Sequence, residues 1–133
     1  MIIGIGNDIC NEERIEKAYD RHGARFTNLI LTKSEIEEME NRPRITNYLA
    51  KHFAAKEAIY KAIAHAITPP PKWHDAEILH DEAGRPIVTL SNRCHKALSK
   101  LAQPGQDVRY HLSLSDDTPF IFAIFIASIE TAR

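Results

Sequence analysis

From Thr46 to Thr68 the chain runs without a glycine or a proline, alanine recurs at nearly every turn, and Pro69, Pro70 and Pro71 close the run. Alanine is the strongest helix former and proline supplies no backbone N–H, so the stretch predicts one long helix with Thr46 as its N-cap. At 3.6 residues per turn Ala50, Ala54, Glu57, Lys61 and Ala64 share one stripe, and Leu49, Phe53, Ile59, Ile63 and Ile67 spread over the rest. Small residues beside two charged ones suit a surface against which a ligand lies closely. The same Glu57 and Lys61 also fit a plain i,i+4 ion pair on a solvated face.

The flanking segments must pack on this helix. Ile2, Ile3 and Ile5 predict a short strand whose exit, Gly6 to Asp8, presents a carboxylate. Gly4-Ile5-Gly6 lacks the third glycine and the helix of a dinucleotide loop. Asn11 caps a helix to about His22, stopped by Gly23, and Thr32 with Glu35 forms a capping box for a helix to about Glu40. Residues 76–79 and 86–90 read as a hairpin, Ser91 caps a helix to about Leu101, and 108–115 alternate as a strand. In that strand Arg109, His111, Ser113 and Ser115 share one face. The final strand from Phe120 is apolar on both faces and predicts a central strand covered on each side. The fold class is α+β: a single compact domain spanning residues 1–133, with an antiparallel-rich sheet packed on a long central helix.

A formal net charge of -1 argues against wholesale binding to nucleic acid or anionic lipid. The apolar run Phe120 to Ile129 is about half of the ~20 residues that span a bilayer as a helix. Cys10 and Cys94 stand far apart with no signal peptide ahead of them, which fits free thiols in a reducing cytoplasm. The local exception to neutrality is a basic ridge, Arg14, Lys17, Arg21 and Arg25, at helical spacing. It fits either a landing strip for an acidic partner or a solvated helix laced with weak pairs such as Glu13 with Lys17.

The histidines show no zinc-binding spacing, and no Gly-x-Ser-x-Gly elbow surrounds Ser113 or Ser115. What remains is hard-oxygen chemistry. Asp8 and Glu57 can share one Mg2+, an ion that usually takes one or two carboxylates and completes its shell with water and phosphate. Lys61, one turn beyond Glu57, then meets phosphate as a point charge.

The chain resembles the holo-acyl carrier protein synthases, the small 4'-phosphopantetheinyl transferases of fatty acid synthesis. The likeness rests on G-I-G-N-D-I at Gly4 to Ile9, I-L-T-K-S-E at Ile30 to Glu35 and F-A-A-K-E-A at Phe53 to Ala58. W-H-D-A-E-I-L from Trp73, the D-E-A-G-R-P turn and H-L-S-L-S from His111 continue it in order, nearly end to end. The resemblance implies transfer of 4'-phosphopantetheine from coenzyme A to apo acyl carrier protein, with Mg2+ on Asp8 and Glu57 and with Lys61 on the coenzyme A phosphates. It also implies docking of the carrier through Arg14 and Arg21, coenzyme contacts from His52, Ser113 and Ser115, and a homotrimer with its sites at subunit interfaces. His52 stands where the family usually has Arg, which predicts a weaker or pH-dependent phosphate contact. Tyr60, Ala64 and Ala66 replace the family's small residues and reshape the coenzyme cleft. Asp116 stands where the family has a histidine, leaving as general base either Asp116 itself or, preferably, a metal-bound water. A noncatalytic module that keeps the coenzyme A and carrier surfaces is the alternative.

Overall fold

The computed structural model describes residues 1–133. Strand β1 (Ile2–Asn11) leads into helices α1 (Glu12–His22), α2 (Ala24–Ile30), α3 (Lys33–Glu40) and α4 (Ile45–Ile63). Two single 3-10 turns, Ala64–Ala66 and Trp73–Asp75, precede the hairpin β2 (Ala76–His80) and β3 (Pro86–Leu90). Helix α5 (Asn92–Ser99) and the long hairpin β4 (Gln106–Asp117) and β5 (Phe120–Thr131) complete the chain. The sheets are β1-β5-β4 and β2-β3, and every pairing is antiparallel. This is the expected α+β architecture.

Helix α4 lies across one face of the three-stranded sheet. Leu49, Ala54, Ala58 and Ile59 on the helix and Ile121, Ala123, Phe125 and Ala127 on β5 are all buried in one core. The approach to β1 is closer still, because a Cβ placed on Gly4 would collide with the carbonyl of Ala62, and one on Gly6 with that of Ala58. The two glycines therefore let strand and helix meet backbone to backbone. Ala50 and Ala54 are fully buried in the core, which corrects the reading of those two positions as ligand surface, while Ala64 is half-buried.

Asn11 caps α1 through the amide of Glu13, and both arms of the Thr32–Glu35 capping box form. Helix α4 differs from expectation at both ends. It begins at Ile45 after Arg44, without a side-chain cap, and stops at Ile63. The proline at 69 disfavours helix at Thr68, and Ile67, extended and 3 % exposed, turns into the core instead. Strand β1 runs past Asp8 to Asn11, since pairing continues from Asp8 opposite Ala123 to Asn11 opposite Phe120 and overrides the weak strand propensity of Gly, Asn and Asp. Asp8 thus lies within a strand, not at its exit. Helix α2 carries no clear sequence signal, and Gly23, at φ 52°, both ends α1 and turns the chain into it.

Strand β5 is central, as expected, but only one of its faces is covered. On the other face Ile5 and Ile9 of β1 are 58 % and 66 % exposed, and Phe122 of β5 is 40 % exposed. No helix is long and apolar enough to cross a membrane.

Candidate active site

The backbone contact between β1 and α4 determines which side chains meet. Asp8 lies on the helix-facing side of β1, two residues beyond Gly6, while Glu57 and Lys61 stand one turn apart on α4. Lys61 Nζ donates to Asp8 Oδ1 at 3.1 Å and to the Asn7 carbonyl at 3.0 Å. Partial burial pushes the Glu57 carboxyl above its ordinary value and the nearby Asp8 charge pushes it further, with Lys61 opposing both. Glu57 therefore sits beside Asp8 with its negative charge incompletely matched. The i,i+4 ion pair on a solvated face does not form: the lysine bonds across to the strand.

A cleft of about 620 Å³ opens beside Glu57, walled by Leu29 of α2, Tyr60 of α4 and the segment carrying Lys72, Trp73 and His74. A larger groove of about 870 Å³ runs between β3, α5 and β4, past Arg85, His95 and Tyr110. None of Asp8, Glu57 and Lys61 lines that groove, whereas Glu57 lines the smaller cleft.

The other expected site residues fall elsewhere. His52 is 1 % exposed, with Nδ1 2.9 Å from the Tyr48 carbonyl, Nε2 2.8 Å from the Ile78 carbonyl, and its ring stacked on Tyr48. Its expected phosphate contact is overturned, because both ring nitrogens are occupied inside the core and no phosphate can reach them. Ser113 and Ser115 project from β4 on the uncovered side of the sheet, opposite to α4. Asp116 accepts from Asn47 Nδ2 at 3.3 Å and lies 3.5 Å from Lys51 Nζ. The hydrogen bond from Asn47, followed by the Lys51 charge, holds its carboxyl below the usual range. Within one chain it touches none of Asp8, Glu57 and Lys61. Arg14, Lys17, Arg21 and Arg25 are exposed, and Gly23 separates Arg25 on α2 from the three on α1.

One charged group under the cleft is absent from the sequence reading. Lys56, adjacent to Glu57, points inward and donates to Glu35 Oε1 at 2.6 Å, the Ile30 carbonyl at 2.7 Å and the Trp73 carbonyl at 3.1 Å. Glu35 also accepts from the amides of Thr32 and Ile78. This buried cluster joins α3, α4, β2 and the Trp73 turn, and so forms the floor of the cleft. Its signal was present in the periodicity: Lys56 falls in register with Leu49, Phe53 and Ile63, an apolar stripe on which an unpaired cation would be costly.

Residues 4–118 match the family model described as the 4'-phosphopantetheinyl transferase superfamily. The holo-[acyl-carrier-protein] synthase of Vibrio cholerae serotype O1 is 41% identical over 126 residues, covering 95% of this chain and 97% of that protein. Among solved structures, the Neisseria meningitidis holo-[acyl-carrier-protein] synthase superposes with TM-score 0.79 at 33% identity, over 96% of this chain and 99% of its own. A holo-(acyl-carrier-protein) synthase from Bacillus anthracis, in complex with CoA (3',5'-ADP), gives TM-score 0.74 at 31% identity, over 100% and 99% of the two chains.

Proposed function

The chain belongs to the 4'-phosphopantetheinyl transferase superfamily, among its holo-[acyl-carrier-protein] synthases, and we propose that it moves 4'-phosphopantetheine from coenzyme A to a serine of apo acyl carrier protein. The observation that carries this reading is the meeting of Asp8, Glu57 and Lys61, with Glu57 also lining the cleft. In the reaction the serine oxygen forms a bond to the β-phosphorus of coenzyme A. The bridging P–O bond breaks, adenosine 3',5'-bisphosphate departs with the electron pair, and the serine proton passes to solvent or a base.

The donor set fits Mg2+. Two adjacent carboxylates, one of them driven above its ordinary pKa by burial and by the other, offer hard oxygens and lack sufficient positive charge within the chain. Held by Asp8 and Glu57, the ion would neutralise pyrophosphate oxygens and favour departure of the leaving group. Lys61, 51 % exposed along its side chain, swings from Asp8 to the phosphates as a second cation. Close backbone contact between β1 and α4 fixes the main-chain positions from which Asp8 and Glu57 project, so orientation rather than a covalent intermediate supplies the rate. Asp116, tied to Asn47 and Lys51, is assigned to holding the start of α4 against β4 and not to proton transfer in its own chain's site.

Arg14 and Arg21, exposed and without an acidic partner, receive the acidic carrier. The uncovered apolar sheet face, with Ile5, Ile9 and Phe122, packs against further copies in a homotrimer; there Ser113 and Ser115 meet coenzyme A bound at a neighbour's carboxylates. The enzyme works in the cytoplasm, a reading supported by the free thiols of Cys10 and Cys94. Incubation with apo carrier protein, coenzyme A and Mg2+, followed by the mass of the carrier, tests the reaction. A carrier that gains no phosphopantetheine while still binding the protein would leave the noncatalytic binding module as the better account. Sedimentation tests the assembly, and a monomer at micromolar concentration would remove the interfacial sites.

A further inference from the structure

The outer wall of the cleft beside Glu57 is a segment that cannot hold itself. From Thr68 to Asp75 its only regular element is the single turn Trp73–Asp75, and the three prolines bring no backbone donors. Side chains from the far side fix it instead. Arg93, at the start of α5, donates through Nη1 to the Pro69 carbonyl at 2.8 Å, and through Nη2 to the Pro70 carbonyl at 3.1 Å and to Asp75 Oδ2 at 2.7 Å. Asp75 in turn accepts from the Lys72 amide at 2.7 Å and from Ser91 Oγ at 2.7 Å. Burial alone would raise the Asp75 carboxyl, but these hydrogen bonds outweigh it and hold it below the usual range. A planar fork and an ionised carboxylate thereby lock both ends of the loop to α5.

We propose that Arg93 and Asp75 are positioning residues for coenzyme A, holding the Pro71–Trp73 wall at the separation from Leu29 and Tyr60 that admits the arm beyond the pyrophosphate. The proposal rests on the reading that Asp8, Glu57 and Lys61 face the pyrophosphate, with Glu57 bordering the cleft. Past Glu57 the lining turns to Leu29, Tyr60, Pro71 and Trp73, surfaces suited to an arm of methylenes and amides. Neither Arg93 nor Asp75 lines the cleft, and the Arg93 side chain is 38 % exposed, so its loss leaves the core untouched. The inner anchors persist: Lys56 holds the Trp73 carbonyl, His74 Nε2 lies 2.9 Å from the Asn28 carbonyl, and the Trp73 ring packs on Phe53. Without Arg93 the wall pivots about Trp73 instead of unfolding.

The test is steady-state kinetics of the full chain with apo carrier protein and coenzyme A varied in turn, alongside calorimetric binding of coenzyme A. Arg93→Ala should raise KM and Kd for coenzyme A between about 10- and 100-fold, the scale of a displaced binding surface, with kcat and the carrier KM within about threefold of wild type. Arg93→Lys, which keeps the charge but only part of the fork, should recover part of the loss. Asp75→Asn should repeat the Arg93→Ala pattern and serves in its place if that variant fails to fold. An unchanged KM and Kd for coenzyme A, a rise confined to the carrier KM, or a fall in kcat alone would each overturn the proposal. A wild-type protein that transfers nothing would sink the proposed reaction, while the calorimetric arm would still decide on the wall.

Discussion

Lys56 and Glu57 follow one another on α4 and meet opposite surroundings. Lys56 enters a dry interior, 2 % exposed along its side chain, where one carboxylate and two carbonyls take its ammonium protons. Glu57 turns to the cleft, where its surroundings include a like charge and no hydrogen bond. A charge fully answered by its own chain serves the fold. One left unanswered at the mouth of a cleft is matched from outside, by ion or substrate.

Exchanging roles is the strongest way to break this contrast. Lys56→Ala strands Glu35 in the core and should cost about 3–5 kcal/mol, the scale for breaking a buried pair. Denaturant unfolding reads this directly, and a midpoint near wild type would mean that the cluster is not what holds α3, α4 and β2 together. Glu57→Gln should do the reverse. Turnover falls on the order of 10²–10³-fold, the scale for removing a group that stabilises transition-state charge, and stability does not fall, because ionised Glu57 is itself disfavoured by burial and by Asp8. Turnover that stays near wild type across a Mg2+ titration would end the metal assignment.

Acid titration sharpens the same comparison. In the metal-free protein the Glu57 carboxyl should titrate above its ordinary value, and the Asp8→Asn change should bring it back toward that value by removing the neighbouring charge, which carboxyl NMR titration without Mg2+ follows.

Weaker effects belong to the surface. Arg21→Glu should raise the carrier KM about 10-fold at low salt and leave that for coenzyme A unchanged, since exposed charges act by steering. Insensitivity of the wild-type rate to salt, with normal kinetics in this variant and in Arg14→Glu, would take α1 out of docking. Asp116→Asn should change turnover least, within about threefold, because the amide keeps the size and one acceptor for Asn47. A fall of about 10²-fold with normal coenzyme A binding would restore Asp116 as general base. Its folded pKa is depressed, so whatever stability it adds is present above the ordinary aspartate value and disappears as pH falls through the lowered one.

The sequence made the elements legible wherever local chemistry decides them: the Thr32 capping box, the Asn11 cap, both hairpins and the core of α4. Asp8, Glu57 and Lys61 were legible as types at suggestive spacing, and the structure brings the three together. What failed depended on long-range packing. The alanines looked like ligand surface because the strand that covers them is contributed by residues far away in sequence. His52 drew a phosphate contact only from the resemblance, and nothing local shows that Ile78 lies over it. Lys56 and Glu35 were read only as a helix residue and a cap, although their partnership spans 21 positions. Helix α2 was missed because it is a single short segment whose start is set by a turn at Gly23 and whose face is set by α3 and α4.

The collision that bars a side chain at Gly6 has a further consequence. Asp8 is two residues beyond that glycine, and Glu57 is adjacent to the alanine whose carbonyl it meets. Main chain rests on main chain there, so no rotamer lies between the two elements that could relax and absorb an error. The separation of the two main-chain positions that carry the carboxylates is therefore set by backbone contact and not by an intervening side chain. A methyl group added at residue 6 would force the strand and helix apart and so shift Asp8 against Glu57 without altering either residue.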